Sequence, residues 1–203
     1  MSRSTCPFAT LERQAAGVSL VELVVIMGVV AVLGGLVAPS IANLVAAARL
    51  RQAAGFVATR FRLARAQAAA TTVSVGVVFD RVAASWTFRV CEDGNGNGLR
   101  RAEIDDGRDV CREGPHDLAA LFPGVRILAD EGLRGPDGEP GSSDPVRFGP
   151  SDLASFSPAG TCTAGSVWLQ GSGGRQYLVR VAGVTGRTRV LRYDAAARVW
   201  RDG

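Results

Sequence analysis

Residues 18–38, VSLVELVVIMGVVAVLGGLVA, form a continuous apolar stretch near the start of a 203-residue chain and decide its architecture. The stretch contains one ionisable side chain, that of Glu22. As a helix these residues reach ~31 Å, which is about the thickness of the hydrocarbon layer of a bilayer. Secretory signals have shorter apolar runs, so the sequence predicts a membrane helix over residues 18–38 that the mature protein retains.

The residues on either side of this stretch set the expected topology. The polar segment before it contains Arg3, Glu12 and Arg13 and is net positive, which favours the cytoplasmic side and places the remainder across the membrane. An ordinary single-span anchor is the alternative, but an ionised carboxylate in hydrocarbon is costly unless it is paired or hydrated. Cleavage after Gly17 would give a cationic amino terminus that pairs with Glu22 or with its counterpart in a neighbouring copy.

Residues 17–23, Gly-Val-Ser-Leu-Val-Glu-Leu, followed by the apolar helix and Pro39, resemble the class III signal of type IV pilins and type II secretion pseudopilins. The resemblance implies that a prepilin peptidase cuts after Gly17, that Val18 becomes N-methylated, and that the helix forms the core of a filament. It makes Glu22 the assembly carboxylate and Pro39 the proline found late in the apolar half. Phe is usual where this chain has Val18, and Thr is commoner where it has Ser19; we expect processing to tolerate both changes.

The segment after Pro39 is rich in Ala and free of Pro, which favours a helix that continues to residue 71. Apolar residues recur at helical spacing along one face of this segment, and we expect that face to pack on a sheet. The predicted stripe consists of Leu50, Ala54, Val57, Phe61, Ala64 and Ala68.

Short β-branched runs separated by Gly, Pro and Asp follow the helix and predict antiparallel strands. The predicted strands cover residues 73–79, 85–91, 125–129, 166–170, 176–182 and 187–193, and residues 130–158 are predicted to form a long surface loop. The expected fold is α+β and pilin-like, with one long helix packed on an antiparallel sheet. The expected organisation is a leader (1–17), a transmembrane or filament-core helix (18–38), a linking helix (39–71) and a β-rich periplasmic domain (72–203).

The domain is similar to the GspH/FimT branch of minor pseudopilins and pilins. The similarity lies in Trp86-x-Phe88, the run Asp-Gly-Asn-Gly-Asn-Gly at residues 93–98, and Gly-Arg-Thr-Arg at residues 186–189. It implies a non-catalytic subunit of the inner membrane whose partners are other pilin-like subunits, the prepilin peptidase and the membrane. A type II secretion pseudopilin is the first expectation. A FimT-like minor type IV pilin that initiates the fibre or binds DNA is the alternative, and an unprocessed anchored domain is a third.

Asp93, Asn95 and Asn97 match the first half of a calcium loop, in which alternating oxygen ligands wrap the cation. The bidentate Glu expected eleven residues after Asp93 is replaced by Ile104. The alternative is a hydrogen-bonded turn, because Asn and Gly both tolerate positive φ. We expect a hydrogen-bonded turn at these residues. If the loop binds a cofactor, the expected cofactor is calcium.

Two cysteines, Cys91 and Cys111, lie on either side of this loop, and an oxidising compartment would allow a disulfide between them. Cys6 would leave with the leader. Pairing of Cys162 with either partner stays open, because connectivity cannot be deduced from sequence.

The net charge of +4 hides three segments of opposite sign. Residues 49–79 carry five Arg and no acid, residues 80–159 nine Arg and fifteen acids, and residues 160–203 seven Arg and two acids. Arg187 and Arg189 share one face of the last predicted hairpin, with Arg192 on the other. Such a cluster fits DNA phosphates, and the alternative is a solvated strand or a docking surface for acidic neighbours.

The sequence contains no motif for catalysis. It lacks G-x-S-x-G, H-E-x-x-H and a P-loop, and the glycines at 94, 96 and 98 lack the spacing of a dinucleotide site. The single histidine, His116, lies in a segment that we expect to be a solvated loop. The sequence therefore predicts a structural protein and no enzyme.

Overall fold

A computed structural model describes residues 17–83 and 85–203 of the protein, without the side chains of residues 34 and 36–39. The predicted leader lies outside the described residues, except for Gly17. The chain divides between Ala42 and Asn43 into two compact units. Within the described residues, none of the helices has an apolar run long enough to cross a membrane.

Helix α1, Leu20–Thr71, starts in the first unit and ends in the second. It begins directly after Ser19, whose backbone carbonyl and hydroxyl accept hydrogen bonds from the first helical turn. The backbone of Pro39 lies within α1, whereas its side chain is not described. The division after Ala42 places residues 43–71 in the second unit, and members of the stretch 50–68 belong to its core.

The buried face of α1 in the second unit confirms the predicted stripe. All six of its members, Leu50, Ala54, Val57, Phe61, Ala64 and Ala68, have no exposed surface. The arginines between them are exposed or half-buried, because the 3.6-residue period turns them away from the core.

The other elements described in the second unit are ten strands, two short α-helices and a 3-10 helix at Ser172–Gly174. The strands are β1 Val75–Val82, β2 Ser85–Glu92, β3 Val110–Asp117, β4 Arg126–Ile127, β5 Val146–Arg147, β6 Leu153–Phe156, β7 Gly165–Gln170, β8 Gln176–Val181, β9 Thr188–Asp194 and β10 Val199–Asp202. Helix α2 covers Arg101–Asp105 and helix α3 covers Leu118–Leu121.

The strands form two antiparallel sheets where the sequence predicted one. The four-stranded sheet has the order β3-β2-β1-β6, and the larger sheet has the order β10-β9-β8-β7-β4, with β5 also paired to β7. Residues of α1 and of both sheets share one apolar core. The fold class is therefore α+β, with a helix against antiparallel sheets.

An aromatic cluster lies where the helix meets the sheets. The Phe61 ring of α1 lies 5.5–6.3 Å, between centroids, from the rings of Phe79, Phe148 and Phe156. A smaller apolar cluster covers the opposite face of the larger sheet and contains Trp168 and Leu178. The larger sheet is thus buried on one face by α1 and partly covered on the other.

The prediction of a surface loop over residues 130–158 was wrong in part, because this segment contains β5 and β6. β5 has two residues and β6 has four, and Gly and Pro flank both, so neither is long enough to show a period. β3 was also missed, because its sequence VCREGPHD is polar and contains Pro115. Such a composition is typical of an edge strand, which is the position of β3.

Candidate functional site

Residues 17–42, the described part of the first unit, form an apolar helix with one ionisable side chain. The large apolar side chains from Val18 to Leu33 are 50–78% exposed and occur on every side of the helix, because they follow one another without a polar face. Burying a Val, Leu or Ile side chain contributes about 1.5–3 kcal/mol. Burial of this surface away from water would therefore be favourable.

Glu22 lies in the first turn of α1, three residues after Ser19. Its backbone N–H donates to Ser19 Oγ at 3.2 Å, and the N–H of Leu23 donates to the Ser19 carbonyl oxygen at 3.1 Å. Ser19 is therefore the N-cap of α1, and the predicted cleavage bond between Gly17 and Val18 lies just outside the helix. Glu22 is the only ionisable side chain of residues 17–42, so this stretch contains no side-chain cation to pair with it.

The loop between β2 and β3 is organised by three buried carboxylates. Asp93, Glu103 and Asp109 are 6%, 7% and 2% exposed. The Asp93 carboxylate accepts N–H bonds from Asn95, Gly96 and Gly98 at 2.7–3.1 Å, and Asp109 accepts from the backbone of Gly94 and Arg100, both at 3.0 Å. These bonds close the loop on itself.

Glu103 joins the two asparagines of the predicted calcium motif. Its Oε2 accepts from Asn95 Nδ2 at 2.8 Å and its Oε1 from Asn97 Nδ2 at 3.0 Å. The hydrogen bonds from Asn97 and Asn95 hold the pKa of Glu103 below its ordinary value of 4.5. Both oxygens of the Glu103 carboxylate thus accept hydrogen bonds from N–H groups, as expected for a hydrogen-bonded turn.

Within the described part of the chain, no group of three His, Cys, Asp or Glu side chains is placed to hold a metal ion. Residue 104, where a calcium loop has its bidentate Glu, is a buried isoleucine. The motif indicated Asp93, but it did not indicate Asp109, which is sixteen residues further along. Calcium binding stays a prediction.

A disulfide joins Cys91 and Cys111, which lie directly opposite each other on β2 and β3. It ties together the two ends of the loop that the carboxylates organise. Cys162 forms no disulfide with another described residue, and its Sγ–H donates to the carbonyl oxygens of Ala182 and Gly183 at 3.2 and 3.3 Å. Burial raises the pKa of the Cys162 thiol and favours its unreactive form.

The predicted arginine cluster extends onto the helix. Arg187 and Arg189 line one groove with Arg51 and Arg62 of α1, and we call this the arginine groove. All four side chains are exposed. Among the described residues only Arg189 of the four has a salt bridge, with Asp202 at 2.8 Å. Arg192 lies apart and lines a different cavity, beside Arg175 and Tyr177.

The prediction that His116 lies in a solvated loop was wrong. His116 belongs to β3, is half-buried, and packs against the rings of Phe56 and Phe88 at 5.5 and 5.1 Å between centroids. Its Nε2 lies 2.9 Å from Glu113 Oε1, an atom that also binds Arg60 of α1 at 2.7 Å. The histidine therefore helps to attach β3 to the helix.

Comparisons of the chain with models of known protein families, with curated proteins and with solved structures gave no match.

Proposed function

We propose that the protein is a minor pseudopilin of a type II protein secretion system, a structural and assembly subunit of the periplasmic pseudopilus that supports protein export. The observation that carries the proposal is the described part of the first unit, residues 17–42. It is an apolar helix whose large side chains up to Leu33 are exposed on all sides, and its one ionisable side chain is that of Glu22. In a plain membrane anchor an ionised carboxylate in the first turns of the helix is costly unless it is paired or hydrated, whereas a subunit that packs against copies with cationic amino termini supplies a partner for it.

In this proposal the prepilin peptidase cuts after Gly17 and N-methylates Val18 on the cytoplasmic side of the inner membrane. The apolar helix then remains in the membrane as a single span, with the second unit in the periplasm. On assembly the helix exchanges lipid for the helices of neighbouring pilin-like subunits. Glu22 pairs with the charged amino terminus of a neighbour and sets the register, because an unpaired charge in that setting is disfavoured.

The second unit supports the proposal through its attachment to the helix. Residues 50–68 of α1 contribute a fully buried stripe to the core, so the domain and the helix cannot separate without unfolding. A filament built from such helices would carry one domain on each of them. We find no catalytic motif in the sequence, and we propose that the protein is not an enzyme.

A photo-crosslinking experiment in membranes tests this proposal. A photoreactive amino acid replaces Met27, which is 65% exposed in the first unit. The same amino acid in place of Val184, which is 95% exposed in the second unit, is the control outside the apolar helix. We expect the probe at 27 to give covalent adducts with the apolar helices of other pilin-like subunits, identified by mass spectrometry. Adducts with lipid alone at 27, in cells that assemble the secretion system, would contradict the proposal.

The alternative is a FimT-like minor type IV pilin that initiates the pilus or binds DNA for uptake, and the arginine groove is the observation that favours it. Three of its four guanidinium groups have no salt bridge to another described residue. Phosphates are the DNA groups that such arginines contact, and their affinity falls steeply with salt.

A gel shift with the full chain in non-ionic detergent tests this alternative. Arg187→Ala with Arg189→Ala should weaken binding of duplex DNA and reduce its salt dependence, because two phosphate contacts are removed. Arg192→Ala is the matched control, since Arg192 lies outside the groove. Equal binding by the wild type and the double variant would exclude the groove as the DNA site.

A further inference from the structure

The larger sheet carries a cavity on the face opposite to α1. Its volume is about 350 Å³, at the lower end of the range for ligand cavities. Trp168 of β7 and Leu178 of β8 are cross-strand partners and line it, together with the guanidinium side chains of Arg147 and Arg180. Pro136 and Glu139 line its rim. The cavity thus combines apolar side chains with two cations.

Two hydrogen-bond donors at this cavity lack partners. Trp168 is 1% exposed, and neither its Nε1 nor the buried Nη2 of Arg147 has an acceptor among the described residues. The Arg147 guanidinium lies 5.0 Å from the Trp168 ring centroid, and its Nε donates to the Asp144 carbonyl oxygen at 3.2 Å. These contacts fix the guanidinium beside the indole. Both atoms are shielded from solvent, so an acceptor reaches them only when the chain beside the cavity moves aside; it would then be bound favourably, because buried donors without acceptors are costly.

A loop of the same chain shows which acceptor the cavity prefers. Asp137 forms a salt bridge with Arg180, and Glu139 Oε2 lies 3.6 Å from Arg147 Nη1. Both acids are more than half exposed and lie on the segment Gly-Pro-Asp-Gly-Glu, residues 135–139. Two carboxylates separated by one residue therefore approach the two arginines from solvent, without filling the donor positions of Arg147 Nη2 and Trp168 Nε1.

We propose that this cavity binds an acidic segment of a partner polypeptide, in which two acidic residues separated by one residue replace Asp137 and Glu139 on Arg180 and Arg147. The partner's carboxylates would also accept hydrogen bonds from Arg147 Nη2 and Trp168 Nε1, which the loop leaves unsatisfied. The methylene groups of the acidic side chains would pack on Leu178 and Trp168. A polypeptide is the expected source, because the occupant that the chain itself supplies is a peptide with this spacing.

Calorimetry with the full chain in non-ionic detergent tests the proposal. The probe is the blocked peptide acetyl-Ala-Glu-Ala-Glu-Ala-amide, and the same peptide with Gln in place of Glu is its control. Asp137→Asn with Glu139→Gln removes the competing carboxylates and should tighten binding about ten-fold. Arg180→Gln should weaken it about ten-fold, whereas Arg126→Gln, an exposed arginine outside the cavity, should leave it unchanged.

The Asp137/Glu139 variant should bind the peptide more tightly and Arg180→Gln more weakly, so the test does not depend on whether every variant folds. A variant that merely loses structure cannot bind more tightly, so tighter binding by the Asp137/Glu139 variant supports the proposal even if Arg180→Gln is unstable. Equal binding of the Glu and Gln peptides would overturn it. Acetate that binds as tightly as the peptide would also overturn it, because the cavity would then take free carboxylates rather than a polypeptide. The proposal does not depend on the filament role.

Discussion

The backbone N–H of Glu22 donates a hydrogen bond of 3.2 Å to the hydroxyl oxygen of Ser19. Ser19 and Glu22 thus occupy the N-cap and N3 positions of α1, the spacing of a capping box. The carboxylate lies in the first turn, where the partial positive charge of the helix N-terminus stabilises it. A carboxylate at this position favours the start of the helix whatever its neighbours are, so the proposed assembly role of Glu22 has to be separated from this local effect.

Replacing Glu22 by Gln separates the two roles. Gln retains the side-chain length and is accepted at N3, so helix content and insertion into membranes should stay unchanged. Assembly should be lost, because a neutral amide cannot pair with the charged amino terminus of a neighbour. Membrane fractionation measures the first property, and recovery of the subunit with its filament partners measures the second.

Glu22→Asp is the matched control for that experiment. It keeps the charge, and assembly should survive at least in part. If Glu22→Gln enters filaments at the wild-type level, the carboxylate has only its capping role and the register mechanism fails.

Phe61 is expected to be a principal contributor to the stability of the second unit. It has no exposed surface and contacts three other phenylalanines of the core. Phe61→Ala should lower the free energy of unfolding by about 3–5 kcal/mol, because it removes apolar contacts and leaves a cavity. Leu63→Ala, at a side chain that is 46% exposed on the same helix, should change it by less than about 0.5 kcal/mol. Chemical denaturation measures both values, and similar losses would contradict the packing described.

The Cys91–Cys111 disulfide should stabilise the domain through the loop that it closes. The two cysteines are 20 residues apart, and closing a loop of that length contributes about 3 kcal/mol in the chain-entropy model. A reductant should therefore lower the melting temperature of the wild type and of Cys162→Ser by the same amount. It should have no effect on the Cys91→Ser/Cys111→Ser variant, and a further drop in that variant would show that another disulfide contributes.

Glu103 should make the stability of the domain dependent on pH in the acid range. Its pKa in the folded protein lies below the ordinary 4.5, because the Asn97 and Asn95 amides donate to the ionised carboxylate. The stabilisation is therefore complete above pH 4.5 and is lost as the pH falls through the lowered folded-state pKa. Glu103→Gln should melt at a lower temperature than the wild type at pH 7, and the difference should shrink in acid. A difference that is constant from pH 7 to pH 3 would contradict this account.

The sequence predicted those parts of the fold that show a clear period over many residues. The stripe from Leu50 to Ala68 has the helical period, and the predicted strands over residues 176–182 and 187–193 correspond to β8 and β9. β5 and β6 were not predicted, because strands of two and four residues pair only when the rest of the sheet is present. The division into two sheets depends on pairing between strands that are far apart in the sequence, and no local sequence pattern predicts that pairing.

The candidate sites were also predictable to different degrees, because only residues close together in the sequence form a local pattern. Asp93, Asn95 and Asn97 are close in sequence and form a recognisable motif, whereas Asp109 joins them only through the fold. Arg187 and Arg189 were found as a strand pattern, but Arg51 and Arg62 lie more than a hundred residues earlier and meet them in space. The unsatisfied donor of Trp168 has no sequence signal, because it depends on what surrounds the indole.

Mass spectrometry of the amino terminus of the protein isolated from membranes tests the central claim most directly. The account predicts a chain that begins at Val18 with an N-methyl group, because processing after Gly17 creates the charge that Glu22 pairs with. A membrane form that retains residues 1–17 would contradict the account and would identify the protein as an unprocessed single-span anchor.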